Sequence, residues 1–213
     1  MMTGLTELLL LLVVLSNFAV LGTTRLSMCI RTLAAQGALL GCLALVAAPH
    51  PSLHAVALAA GTILIKGIIL PWFLQRAIRE AAIRREIEPV VGFTASLLLG
   101  AIMLALAFAI AARLPLVHVQ HALLVPVSLT TLMIGFLVMT TRRKALTQVV
   151  GYLILENGIY LFGLTQTGSV PFLLEVGVLL DVFVGVFIMG IVVFHINRAF
   201  DSLDSSRLTE LRE

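Results

Sequence analysis

Three ionisable side chains lie deep inside apolar stretches of this sequence: Lys66, Glu156 and Asp181. On insertion scales, such a residue at the centre of a membrane helix costs about 2.5–3.5 kcal/mol, so it usually faces the protein interior and marks an ion or proton path. A carboxylate can hold or pass a proton, and a lysine can pass one or bias a neighbouring acid. The alternative is a buried ion pair that only holds helices together. Because three groups exceed the needs of one structural pair, we predict a proton relay.

The three groups are predicted to lie at similar depths. Counted at 1.5 Å per residue from the nearest polar flank, each is about 15–18 Å from a membrane surface. Since the hydrocarbon core is about 30 Å thick, all three lie near its midplane, which suits proton transfer within the membrane plane. Gly177 and Gly185 flank Asp181 by four residues on either side, and small residues there allow another helix to approach closely.

Further polar residues extend the predicted relay. Gln148, Tyr152 and Tyr160 are spaced by fours around Glu156 and share a helix face with it. His195 lies near the inner end of the last apolar stretch, where it could join the proton route. We therefore predict a polar seam of Gln148, Tyr152, Tyr160 and His195 beside the relay.

Other chemistry has little support in the sequence. Cys29 and Cys42 lie in an apolar stretch without a CxxC motif, and His118 and His121 alone are a poor metal site. No nucleophile–base pair, P-loop or dinucleotide fingerprint is present. We predict no catalytic residue, no metal site and no cofactor site in this chain.

The elements that must position these residues are membrane helices. Hydrophobic residues make up 60% of the 213 residues and charged residues only 12%, which predicts an all-α integral membrane protein. Apolar stretches separated by proline, glycine or basic residues predict seven spans. These are 4–22, 27–48, 53–75, 89–112, 121–140, 145–165 and 171–197.

Charge distribution predicts the orientation. With seven spans, the Lys and Arg residues outside the apolar stretches fall almost entirely on one side of the membrane, and the other side holds only Arg113. This asymmetry places the N-terminus outside and the C-terminus in the cytoplasm. The net charge of +3 therefore reflects orientation and does not indicate nucleic-acid binding. Thr23–Arg25 and Thr140–Arg142 share the sequence TTR, so spans 1–3 and 5–7 are either a degenerate repeat or a chance match.

Two segments resemble a known subunit type. The sequence GYLILENG at 151–158 is similar to the acid-bearing second helix of the K-type subunit of complex I, and LDVFVGV at 180–186 resembles its third helix. The same module occurs in the C subunit of multisubunit sodium/proton antiporters. With four further N-terminal helices and ILIKGIILPWF at 63–73, the chain resembles hydrogenase-4 component E, although the second acid is Asp rather than the usual Glu.

The resemblance implies an organisation and a function. Residues 1–115 would be an N-terminal four-helix region, 116–198 a K-subunit-like module and 199–213 a cytoplasmic tail. The chain would be a non-catalytic membrane subunit of a proton-translocating hydrogenase or formate hydrogenlyase-type complex, in a bacterial or archaeal cytoplasmic membrane. Antiporter-like membrane subunits and peripheral redox subunits would be its partners, and the latter would hold the nickel–iron and iron–sulfur centres. A subunit of a cation/proton antiporter and a structural membrane adaptor remain as alternatives.

Overall fold

Apart from isolated β-bridge residues at Arg25 and Arg142, helices form the secondary structure of the part of the chain that the computed structural model describes, residues 2–47, 53–80, 91–114, 122–165, 177 and 179–190. The first four helices are α1 (Met2–Gly22), α2 (Leu26–Ala47), α3 (Leu53–Thr62) and α4 (Leu70–Glu80). A π-helical segment, Ile63–Ile69, joins α3 to α4. The others are α5 (Phe93–Ala111), α6 (Leu124–Thr141), α7 (Ala145–Gly163) and α8 (Leu179–Gly190).

Within the described ranges, six helical stretches are long and apolar enough to cross a membrane, and they correspond to the first six predicted spans. They are Gly4–Gly22, Leu26–Val46, Val56–Arg79, Phe93–Ala111, Leu124–Thr141 and Ala145–Gly163. The seventh predicted span, 171–197, is described only at 177 and over α8, which is apolar but shorter. The count of seven spans and the orientation of the termini therefore stay predictions.

The third span is longer than predicted and is not a regular α-helix. Its helical structure continues beyond position 75 to Glu80, because α4 is amphipathic: Leu74 and Ala77 are buried while Arg76 and Arg79 are exposed. Between α3 and α4, the backbone N–H of Leu70 donates to the carbonyl of Ile65, the wider spacing of a π-helix. Such segments often occur at functional sites, and this one contains Lys66.

Glycines bring the helices of the bundle into backbone contact. A Cβ on Gly37 or Gly41 of α2 would overlap α3 and the π segment, so these glycines allow the two spans to approach closely. The same holds between α6 and α7, where Gly135, Gly151 and Gly158 each face backbone atoms of the other helix. Lys66 and Glu156 are therefore carried on spans whose positions are fixed by close backbone packing.

The buried apolar side chains of the described helices form two clusters. One lies at the end of the bundle where α2 and α7 begin, next to Arg25 and Arg142; we call this the arginine end. The arginine-end cluster includes Val20, Leu21, Leu26, Ile30, Leu33, Leu70, Leu74, Ile134, Leu153, Ile154 and Val184. The far-end cluster contains Leu10, Val13, Leu40, Leu43, Leu124, Val127, Tyr160 and Leu161.

Candidate functional site

Lys66, Glu156 and Asp181 form one buried charged cluster. Lys66 Nζ donates to Glu156 Oε2 and to Asp181 Oδ1, the latter at 3.1 Å. The three residues are 4%, 2% and 1% exposed, respectively, so neither ion pair is solvated. The cluster joins the π segment, α7 and α8. Along the chain, Glu156 is 90 residues and Asp181 is 115 residues from Lys66. The three predicted relay residues are thus brought into direct contact.

Each carboxylate has one oxygen that accepts no hydrogen bond in this cluster. Glu156 Oε1 and Asp181 Oδ2 are buried and accept no hydrogen bond from any residue that the structure describes, although Asp181 Oδ2 is also 3.1 Å from Lys66 Nζ. A Cβ on Gly177 would lie 3.2 Å from Glu156 Oε1, so the glycine leaves room beside that oxygen. Gly185 packs against Leu70 and Phe73 of α4. Buried acceptors without partners are uncommon in proteins, and these two are available to a proton or another donor.

A chain of hydrogen-bonded amides begins beside the charged cluster, at Asn157, and crosses the bundle. Asn157, the residue after Glu156, donates through Nδ2 to Gln36 Oε1 at 3.0 Å. Gln36 donates to Asn17 Oδ1, and Asn17 donates to Thr131 Oγ1, both at 2.9 Å. Thr131 in turn donates to the Val127 carbonyl. This chain joins α7, α2, α1 and α6 through neutral groups that all donate in one direction.

Tyr160 and Thr62 extend the polar contacts toward the far end. The hydroxyl groups of these two residues are 3.2 Å apart, and Thr62 donates to the Leu58 carbonyl. Lys66 Nζ lies 5.9 Å from the centre of the Tyr160 ring, a distance at which the ring face attracts a cation. Tyr160 therefore borders the charged cluster and also belongs to the far-end apolar cluster.

The two other predicted seam residues that the structure describes, Gln148 and Tyr152, make no hydrogen bond to the cluster. Gln148 is exposed and donates to the Arg142 carbonyl at 3.0 Å. Tyr152 is half-buried and packs against the arginine-end cluster. The stripe thus passes from the protein surface at Gln148 into the interior at Glu156. His195, His118 and His121 lie outside the described residues, as does the predicted tail 199–213.

Together these polar residues form a layer between the two apolar clusters. Each described helix that packs in both clusters has a buried polar residue between its two sets of apolar contacts, as Asn17 lies between Val13 and Val20 of α1. The polar layer consists of Asn17, Gln36, Thr62, Lys66, Thr131, Glu156, Asn157 and Asp181, each at most 4% exposed.

The uncharged residues of this layer were not predicted from the sequence. Asn17 and Gln36 are amides inside apolar stretches, and Thr62 precedes Lys66 by one helical turn. An amide buried in a membrane helix needs an interhelical partner, and this requirement was the available signal. Gly37 and Gly41 also form a GxxxG pattern, which predicts a close helix contact beside Gln36.

Arg142 is a second buried cation, outside the membrane-spanning segments. Its guanidinium is 5.3 Å from the Phe93 ring centre and donates to the Leu21 carbonyl at 3.4 Å. Burial lowers the pKa of this guanidinium below its usual range, and Cys29 partly opposes that shift. Among the described residues, no group of three His, Cys, Asp or Glu side chains is placed to hold a metal ion.

Comparison with known proteins identifies relatives of this chain. It is 34% identical over 205 residues to the uncharacterized protein Rv0085 of Mycobacterium tuberculosis, and the match covers 94% of this chain and 92% of the mycobacterial protein. The chain belongs to the family of Rv0085. No family model matches it, and no solved structure is significantly similar to it.

The Rv0085 family member described here also matches part of a hydrogenase subunit. Over 86 residues it is 31% identical to hydrogenase-4 component E of Escherichia coli K12, and the same values hold for the Shigella flexneri protein. These matches cover 40% of this chain and 40% of each relative. This partial similarity supports the assignment of the chain to a family of membrane subunits.

Proposed function

We propose that this chain is a non-catalytic membrane subunit of a redox-driven, proton-translocating complex of the membrane-bound hydrogenase or formate hydrogenlyase type. Its part in the complex is to carry protons laterally through Lys66, Glu156 and Asp181. The contact of these three residues inside the polar layer is the observation that carries the proposal. The partial similarity to hydrogenase-4 component E supports the choice of complex.

The charges of the cluster suit a site that gains and loses one proton. With all three groups ionised, one ammonium faces two carboxylates, so the cluster has a formal charge of −1. One added proton makes it neutral, and an uncompensated charge in this environment is costly. Glu156 Oε1 and Asp181 Oδ2 accept no hydrogen bond from described residues, and each can receive that proton.

The apolar clusters on both sides favour lateral transfer over a pore. A pore through this chain would need polar groups at successive depths, whereas the polar layer has an apolar cluster toward each membrane surface. Protons would therefore reach and leave the cluster through neighbouring membrane subunits. In this proposal the metal centres and the electron transfer belong to peripheral redox subunits, and the termini have the predicted orientation.

Glu156→Gln tests the proposed role. The change keeps the shape of the side chain but removes its ability to take up a proton. In vesicles made from native membranes, we expect the variant complex to assemble, with fewer protons translocated per electron transferred. Glu7→Gln is the matched control, because it makes the same chemical change on an exposed side chain of α1. Normal proton stoichiometry in an assembled Glu156→Gln complex would contradict the proposal.

The identity of the complex is tested by purification from native membranes in a mild detergent. We expect antiporter-like membrane subunits together with subunits that contain nickel, iron and sulfide. Copurification with antiporter-like subunits alone would instead assign the same charged cluster to cation/proton exchange. Metal analysis of the purified material distinguishes the two results.

A further inference from the structure

Lys66 has more hydrogen-bond donors than the charged cluster uses. A lysine ammonium carries three N–H groups, and two of them are directed at Glu156 and Asp181. Asp181 Oδ2 also lies 3.1 Å from Lys66 Nζ but accepts no hydrogen bond. No other described residue accepts a hydrogen bond from Lys66 Nζ, and the side chain is 4% exposed. A donor on a buried charge is costly to leave without a partner. The third N–H therefore requires an acceptor within the protein interior.

A small cavity lies beside this ammonium group. Its lining consists of Leu33, Lys66, Leu70, Leu153 and Asn157. The three leucines belong to the arginine-end cluster, so the cavity is on that side of the polar layer. It has about 10 Å³ of room for the centres of water-sized molecules. That is close to the minimum for one water molecule.

Asn157 also lines this cavity, and its side chain carries an acceptor. Its Nδ2 donates to Gln36, so the amide oxygen is the group left to take part in other contacts. Gln36 is itself held in one orientation because its Nε2 donates to Asn17 Oδ1. The amide chain thus fixes which end of the Asn157 side chain binds Gln36. Asn157 Oδ1 accepts no hydrogen bond from any residue in the described ranges.

We propose that this cavity is a binding site for one water molecule, which accepts a hydrogen bond from Lys66 Nζ and donates one to Asn157 Oδ1. The water joins the charged cluster to the amide chain and completes the hydrogen bonds of the ammonium. Asn17 and Gln36 are then positioning residues for the site. If the proposed function holds, the water is also a group with which Lys66 can exchange a proton inside the polar layer.

The direct test is a structure of the full chain in its native complex, in lipid nanodiscs, at a resolution that shows other buried waters. We expect one density peak within hydrogen-bond distance of both Lys66 Nζ and Asn157 Oδ1. A cavity without density, or a peak that contacts neither atom, would overturn the inference.

Two leucine variants provide a matched comparison that leaves the polar residues unchanged. Leu153→Met places a longer, flexible side chain on the cavity wall, and we expect it to displace the water. Leu74→Met makes the same change elsewhere in the arginine-end cluster, and we expect the water to remain. Loss of the water in both variants, or in neither, would count against the site.

The outcomes separate this inference from the proposed function. A dry cavity together with impaired proton translocation in Glu156→Gln would overturn the water site alone. An occupied cavity with normal translocation in Glu156→Gln would support the water site and overturn the proposed relay.

Discussion

Gly37 of α2 lies so close to Lys66 that a Cβ at position 37 would be 2.7 Å from the Lys66 carbonyl carbon. Real Cβ atoms do not approach other atoms to this distance, so any side chain at position 37 forces α2 and the π segment apart. Gly41 makes a second close contact, with the carbonyl of Ala59. A glycine on another span therefore allows the backbone of Lys66 to lie directly against α2.

We expect Gly37→Ala to destabilise the protein by about 1–3 kcal/mol, the usual cost of inserting a methyl group into a packed interior. The free energies of unfolding of the variant and the wild type, measured in the same detergent, give the size of this change. Gly61→Ala is the control, because a Cβ there meets nothing within 4 Å and alanine is the better helix former. Equal stabilities of the two variants would show that the Gly37 contact is not a constraint.

We expect Lys66→Met to lower the free energy of unfolding more than Gly37→Ala does. It leaves Glu156 and Asp181 buried together without a cation, and breaking a buried pair in this way costs about 3–5 kcal/mol. Adding Glu156→Gln and Asp181→Asn to Lys66→Met removes the uncompensated charges, so we expect this triple variant to recover much of the lost stability. The free energies of unfolding of the single and triple variants test this. A triple variant no more stable than Lys66→Met would mean that charge is not the cause.

The amide chain predicts an order of stabilities. Gln36→Leu leaves two groups without partners, Asn17 Oδ1 and Asn157 Nδ2, whereas Thr131→Val leaves only Asn17 Nδ2. Each buried group that loses its partner costs about 1–3 kcal/mol. We therefore expect Gln36→Leu to lower the free energy of unfolding about twice as much as Thr131→Val. The reverse order would argue against a continuous chain.

Arg142→Lys should make stability depend on pH. Burial lowers the pKa of a cation at this position, and the ordinary pKa of lysine is about 10.4, whereas arginine stays protonated over the accessible range. The folded variant would release its proton at lower pH than the unfolded chain, which then binds more protons. Its stability relative to the wild type should therefore rise as the pH increases towards about 10.4. A constant difference between the unfolding midpoints of the two proteins from pH 7 to about pH 10 would contradict this expectation.

The amino-acid sequence was sufficient to predict the helical class and the first six spans. Apolar stretches of this length form few structures other than membrane helices, and a proline or a basic residue marks most of the boundaries between them. The predicted ends of the helices were less accurate. The helix α5 begins at Phe93 rather than near position 89, and α6 begins at Leu124 rather than near position 121. Hydropathy changes gradually at a membrane surface, so it does not specify the last turn of a helix.

The charged half of the polar layer was also predictable, because a charge in an apolar stretch is conspicuous. The contacts among its members depend on tertiary packing, and neither spacing nor depth indicated that Lys66 binds both acids. The π segment was not predictable, because its hydrogen-bond register leaves no mark in the hydrophobic pattern. Gln148 belongs to the same stripe as Glu156 but is exposed, because residues spaced by four drift around a helix with 3.6 residues per turn.

The two apolar clusters have an electrical consequence for the proposed function. Moving one elementary charge across a membrane involves work of about 2.3 kcal/mol per 100 mV of potential. Glu156, Lys66 and Asp181 are in contact across the bundle and lie at one depth, with apolar material on both sides. A proton passed among them therefore crosses almost none of the membrane field and does almost no electrical work. In a complex that stores energy as voltage, this subunit would be an electrically silent step, and the charge movement would take place in its partners.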